Sequence, residues 1–340
     1  MAFTKTDLLI AAIFWLTTYY LIGCGSSHLY RYDHYMNVKN YEAAMVLMRE
    51  EIEKEPYNPE YHLLLGEAYL QLGEYEQARA SFDNSSYTNS EYNEHIQLLM
   101  EKHYREEYKA GVRALQKERY KDSLHHFLKA AEIKPDSHEL YPVLGFSYYK
   151  LDNLSKAYES YSMAIELDES DAESLHALSE LAFGFGEFSD AAAYARQVTD
   201  LDKEFIPAYE MLFYTNIKLE DYERAEQAYQ SIPEEQRSIN LLTNYAISLF
   251  NQEKYDEALP FIEELYNINP DNENISQTLA ETYYHLKHYE KMAVIYETLY
   301  QHKPHDTDIL VNLIEAYELT GNQDSAEDYR GRLQNLLSDS

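Results

Sequence analysis

A single cysteine, Cys24, stands in 340 residues. One cysteine can neither close an internal disulfide nor furnish a multi-cysteine zinc or iron–sulfur site. Glycine and proline are scarce too, at 10 and 9 residues, leaving too few turn formers for a many-stranded β protein. Basic charge is the third shortage: 28 Lys and Arg face 60 Asp and Glu, a formal net charge of −32. That sign repels nucleic acid and anionic headgroups from the molecule as a whole and argues against an RNA or DNA partner. The excess acid has a plain reading, solubility or a salty medium, and a sharper one, long-range attraction of basic partners. Catalytic signatures are also missing, with no Gly-rich phosphate loop, no Gly-x-Ser-x-Gly elbow and no His-Glu-x-x-His. His285 and His288 have the spacing of a shared helix face, but they fall at the end of a helix and its turn, where solvated polar residues are expected rather than metal ligands. No metal, cofactor, small-molecule substrate or enzymatic activity is expected.

What is present points to helix. Hydrophobic residues make up 45% of the chain and 35 are tyrosines, a side chain that packs between helices while its hydroxyl stays at a wet rim. The chain opens with an apolar run from Leu8 to Ile22, ending in Leu21-Ile22-Gly23-Cys24. At about 15 residues it is shorter than the ~20 that span a bilayer and within the range of a signal-peptide core. The four-residue ending resembles the lipobox of bacterial lipoproteins. The resemblance implies removal of residues 1–23 as a signal peptide and acylation of Cys24, with palmitate among the chains. Gly25 in place of an aspartate further implies the outer membrane of the bacterial envelope, facing the periplasm. An uncleaved short membrane anchor is the alternative, and Asp7, with Lys5 as the only nearby base, departs from the signal pattern.

From there on one large residue recurs, at Tyr41, Tyr75, Tyr120, Leu154, Phe188, Tyr222, Tyr255 and Tyr289, with Gln323 last; the spacings, by subtraction, are 34, 45, 34, 34, 34, 33, 34 and 34. Three residues after each lies a small one in nearly every case: Ala44, Ala78, Ser123, Ala157, Ala191, Ala225, Ala258, then Met292 and Ala326. A 34-residue period belongs to a helix-turn-helix repeat. Together with Leu65-Gly66, Tyr69, Ala78 and Phe82, and with Leu144-Gly145, Tyr148, Ala157, Tyr161 and Ala164, these places resemble the tetratricopeptide-repeat (TPR) family. The resemblance implies an all-α fold, a right-handed superhelical solenoid of about nine repeats over residues 24–340. Gly66 and Gly145 would allow close helix approach. The 45-residue step leaves an insert near 93–103, read as a lengthened first helix or as a hinge. Ser26 to Arg31 read as a poor first helix, and Ser231 to Glu235 as a tighter or irregular turn.

In this family partners usually lie on the concave face lined by first helices. Carried over by register, that face comprises Val112 and Leu115, Phe146 and Tyr149, Glu180 and Phe183, Tyr214 and Ile217, Ile247 and Phe250, and Glu281 and Tyr284. An apolar ladder with acidic rungs suits an extended or helical peptide with apolar and basic side chains; ordinary interhelical core is the competing reading for each member. The lysines and asparagines that clamp a carboxylate tail in chaperone-binding TPR domains are replaced by Tyr108, Pro142, His176 and Glu210. The functional expectation is a non-catalytic scaffold or adaptor that binds proteins or peptides and meets the membrane through lipidated Cys24. A holdase for exported chains, an enzyme with its site in the 93–103 insert, and self-assembly through terminal repeats are the rivals.

Overall fold

The computed structural model describes residues 27–338. Cys24 and the proposed signal peptide lie outside the described residues. Within them the protein is helical throughout, with no strand. Eighteen α-helices follow one another as nine pairs: α1 (Ser27–Asn37) with α2 (Tyr41–Lys54), α3 (Pro59–Leu72) with α4 (Tyr75–Thr88), α5 (Asn93–Leu115) with α6 (Tyr120–Ile133), α7 (Leu140–Lys150) with α8 (Leu154–Leu167), and α9 (Ala172–Phe185) with α10 (Phe188–Leu201). Then come α11 (Ile206–Lys218) with α12 (Tyr222–Gln230), α13 (Ile239–Asn251) with α14 (Tyr255–Ile268), α15 (Glu273–His285) with α16 (Tyr289–His302), and α17 (Thr307–Thr320) with α18 (Gln323–Ser338). The chain divides into two compact units, which meet in number at Ser174 and Leu175.

Each recurring residue of the 34-residue period is the first residue of a second helix, from Tyr41 of α2 to Gln323 of α18. The turn before it is the same every time. Two residues upstream stands a residue with positive φ: Lys39, Gly73, Glu118, Asp152, Gly186, Glu220, Glu253, Lys287 and Gly321. The next amide donates back to a carbonyl five residues earlier, as Glu74 N–H does to Tyr69 and His288 N–H to Tyr283. This left-handed closure satisfies carbonyls that the first helix leaves open. Asn40, Asn153 and Asp221 then cap the second helix by accepting from the amide three residues on.

The small residue three places into the second helix is buried in every pair, Ala44, Ala78, Ala157 and Ala258 completely. In the pairs α3–α4, α5–α6 and α7–α8 the first helix carries a glycine under an aromatic ring of the second. A Cβ on Gly66 would stand 2.4 Å from the Phe82 ring, and on Gly145 2.8 Å from Tyr161. Gly111 does the same against Phe127, at 2.5 Å. Bare backbone is therefore the seat of an aromatic ring, which no larger residue permits without moving a neighbour.

The 45-residue step lies inside the N-terminal unit. A 3-10 turn at Ser90–Tyr92 leads into α5, whose 23 residues compare with 14 in α4. Ile96 and Tyr104 are buried, with Leu99 and Met100 packed beside them, so the added turns carry an apolar stripe onto the core. The start of the chain differs from the sequence expectation: α1 is a regular helix. Tyr32 supplies the reason, since it is 2% exposed and its hydroxyl donates to the Leu64 carbonyl at 2.8 Å. At Ser231, α12 stops after nine residues. Ile232 is fully buried there, and Arg237 lies over the Tyr229 ring at 4.4 Å.

Candidate functional site

In the N-terminal unit, Val112 and Leu115 on α5 are half-buried and lean on the apolar cluster. Phe146 and Tyr149 on α7 are exposed, yet Lys150 Nζ stands 5.2 and 5.7 Å from their ring centroids. The chain's own cation thus sits near both rings, which stay 40 and 44% exposed. One acid of this unit is engaged on several sides. Glu107 accepts from Tyr75 at 2.8 Å and pairs with His126 Nδ1 at 2.6 Å, with Lys129 at 4.0 Å. Burial pushes its carboxyl up, but the His126 and Tyr75 hydrogen bonds and the Lys129 charge outweigh that and hold it below the ordinary glutamate value.

The C-terminal unit repeats the register with different partners. Phe183 on α9 meets Phe188 edge-on at 5.3 Å, Phe250 on α13 meets Tyr255 in the same way at 5.3 Å, and Tyr284 on α15 leans toward Tyr289 at 6.3 Å. The last groove residue of a first helix therefore packs on the aromatic that opens the second. Glu180 is exposed, with His176 3.7 Å away. Tyr214 and Ile217 on α11 are half-buried against the apolar cluster, whereas Ile247 and Tyr284 are 43% and 39% exposed.

Two adjoining clefts share α15. The first, about 410 Å³, lies between α13 and α15 with Ile262 and Leu265 of α14 beneath it. Ile239, Ile247 and Ile268 line it and are 57, 43 and 51% exposed, while Asn240, Asn274 and Thr278 supply polar edges. The second, about 660 Å³, lies between α15 and α17 above Met292 and Tyr296 of α16. Glu281, Asp308 and Glu315 line it together with Tyr284 and Val311. None of these carboxylates has an ion-pair partner among the described residues. The neighbouring bases are held elsewhere, Lys291 by Glu263 at 3.3 Å, Lys303 by Glu273 at 2.5 Å, and Arg330 by Glu318. The Tyr296 hydroxyl is pushed above its ordinary value by burial and by the charges of Glu281 and Glu315. Three uncompensated negative charges around one opening form a field that a cation would relieve.

Register reasoning named Ile247, Glu281 and Tyr284 of these clefts and missed Asn240, Asn274, Asp308, Val311 and Glu315. Glu315 occupies in α17 the place that Glu281 occupies in α15, so the same 34-residue step would have reached it. The rival position around 93–103 borders a third cleft, about 570 Å³, lined by Glu94, Leu98, Glu101, Lys134 and Asp136, while His95 pairs with Glu67 at 3.1 Å and buried His103 meets Gln71 at 3.3 Å. Among the described residues no group of three His, Cys, Asp or Glu could hold a metal, and no helix is long and apolar enough to cross a membrane.

Family models match one stretch in each unit: a tetratricopeptide-repeat model over residues 36–102, and the N-terminal TPR repeats region of Psidin over residues 202–329. No curated protein matches the chain. Among solved structures, a tetratricopeptide repeat protein from Parabacteroides merdae is 17% identical, with 68% of this chain and 93% of that one covered and a TM-score of 0.47. PilF of Pseudomonas aeruginosa is 15% identical, with 65% and 96% covered and a TM-score of 0.38.

Proposed function

We propose that this chain is a non-catalytic scaffold that holds partner polypeptides on the first-helix face of its C-terminal unit. We further propose that it is tethered to a bacterial envelope membrane, the outer one, through a lipid on Cys24. Tetratricopeptide-repeat architecture favours protein–protein interaction, and one observation supports the choice of this face. Exposed isoleucines and three unpaired carboxylates adjoin one another on α13, α15 and α17. A folded chain gains nothing internally from either feature, since apolar surface is left wet and like charges are left facing one another. A polypeptide with apolar and basic side chains relieves both. The tether is supported by the Leu21-Ile22-Gly23-Cys24 pattern alone.

Peptide-display selection against the full chain tests the groove. Selected peptides are expected to carry net positive charge and to lose binding on a Glu281→Gln, Glu315→Gln double variant. A selection that returns nothing, or peptides indifferent to substitutions in the two clefts, overturns the reading. The tether has its own check: Cys24→Ser is expected to move the protein from the membrane fraction to the soluble one and to abolish palmitate labelling, and unchanged fractionation removes that claim.

A further inference from the structure

The three most exposed aromatic rings among the described residues are Tyr87, Tyr57 and Tyr30, at 94, 84 and 75%, with Phe185 next at 46%. All three stand at one end of the first two helix pairs, which a set of contacts ties together. His28 Nε2, at the start of α1, lies 3.0 Å from the Tyr61 hydroxyl in the first turn of α3. Ser85, in the last turn of α4, donates to the Pro59 carbonyl at 2.8 Å, and His62 Nε2 meets the Pro56 carbonyl at 2.9 Å. Tyr30, Tyr57 and Tyr87 each lie within two residues of His28, Pro56 or Ser85. Elsewhere the repeat keeps these places polar. The step of Tyr87 in its second helix holds Glu53, Glu132, Glu166, Asp200, Asn267 and Gln301 in other pairs, and the step of Tyr57 holds Asp136, Ser170, Glu204, Asp271 and His305.

Resting on the membrane attachment proposed above, we infer that this end of the first two pairs is seated in the headgroup boundary of the bilayer, with Tyr30, Tyr57 and Tyr87 as its contacts. The length of the link carries the argument. Three residues take the chain from Cys24 to Ser27, and even fully extended they reach only about 10 Å. A lipid on Cys24 therefore brings the start of α1, and the tyrosines that share its end, to the lipid surface. An uncleaved anchor ending at Ile22 adds only two residues to that reach. Tyrosine suits the boundary because its ring is apolar while its hydroxyl still meets water and headgroups. Held beside the bilayer by so short a link, the rings act at high local concentration, and contacts too weak to bind a free protein suffice. Glu53, Glu55 and Glu91 are exposed at the same end, so a zwitterionic surface is accepted and a strongly anionic one is repelled. The seat fixes which end of the first two pairs faces the membrane, which a lipid tether alone leaves free to turn.

Quenching of tryptophan emission by brominated phosphatidylcholine tests the seat, on the full chain purified from bacterial membranes and reconstituted into phosphatidylcholine vesicles. Trp15 is the only tryptophan, so a Trp15→Phe background leaves a single indole to report. The indole of Tyr57→Trp or of Tyr87→Trp is expected to be quenched about threefold more strongly than that of Glu76→Trp, an exposed place on α4 some 16 Å along the helix from Tyr87. Adding Tyr30→Glu and Tyr87→Glu to Tyr57→Trp should bring its quenching down to the Glu76→Trp level. Every changed side chain of the solenoid is at the surface, and unchanged circular dichroism confirms that the variants are folded. If Tyr57→Trp and Tyr87→Trp are quenched no more than Glu76→Trp in chains that float with the vesicles, the seat is overturned and the attachment stands. If their quenching is strong but survives the glutamate changes, nearness to the link accounts for it and the tyrosines are not the seat. A chain that does not float with the vesicles overturns the attachment, and the seat falls with it.

Discussion

At one place in the repeat the two units part company. The N-terminal unit has Gly66, Gly111 and Gly145, each lying under an aromatic ring of its paired helix, with Tyr32 at that step in its first pair. The C-terminal unit has Ser179, Phe213, Ala246, Ala280 and Ile314 at the equivalent steps. Charge separates them as well, with 29 acidic and 17 basic residues in 1–174 against 31 and 11 in 175–340. In the first unit Glu107 is engaged on several sides, and Lys150 stands near the rings of Phe146 and Tyr149, which stay exposed. In the second, Glu281, Asp308 and Glu315 are left without partners beside an exposed apolar cleft. One period thus supports different fates for the same kind of group: Glu107 is satisfied within the fold, whereas Glu281 and Glu315 line an open cleft.

The largest test of this contrast is steric. Gly111→Val places a branched side chain where even a Cβ would stand 2.5 Å from Phe127. It is expected to cost about 3 kcal/mol, read from the shift in denaturation midpoint. Ala280→Gly, at the matching step of the other unit, removes only a methyl group and helix propensity and should cost about 1 kcal/mol. Equal costs would show that the glycines are not seats for rings and would dissolve the distinction between the units.

The next test concerns the acids. Glu107→Gln removes a carboxylate that three partners engage and should cost ~1–3 kcal/mol at neutral pH. Because its folded-state pKa lies below the ordinary value of 4.5, the charged form is the one favoured by folding. Its contribution is complete above that value and is lost as pH falls through the lower folded-state value. The gap between parent and variant should therefore close in acid. Glu281→Gln with Glu315→Gln should do the opposite, leaving stability unchanged or raising it by a few tenths of a kcal/mol, because no partner is lost and like charges are diluted. A destabilisation comparable to that of Glu107→Gln would mean that the cleft acids serve the fold.

Much of the fold was legible because the same geometry recurs. The period marked residues that turn out to open each second helix, and Ala44, Ala78 and Ala157 three places on are fully buried. Gly66 and Gly145 were readable from their place beside leucine; Gly111 follows alanine in a less typical unit and was not read. The site was harder to see, because pairing is a tertiary property. Glu263 and Glu281 look alike in sequence, yet Glu263 accepts from Tyr283 at 2.6 Å and meets Lys291, while Glu281 faces an open cleft. The α1 helix was misjudged for a related reason: its local sequence is a weak helix former, and the burial of Tyr32 against α3 fixes it.

A last test asks where the contrast should vanish. The turn inside each pair holds one left-handed residue in both units, glycine at Gly73, Gly186 and Gly321 but a side-chain-bearing residue at the other six places. An L-residue is strained by roughly 1–2 kcal/mol in that conformation, and glycine escapes the strain while losing more backbone freedom on folding. Glu118→Gly in the first unit and Lys287→Gly in the second should therefore each raise stability by ~0.5–1 kcal/mol, with the same sign and similar size. Neither residue lines the clefts, so peptide affinity should not move. A gain in one unit accompanied by a loss in the other would show that the units differ in their turns as well, and the division of labour would no longer rest on the helix faces alone.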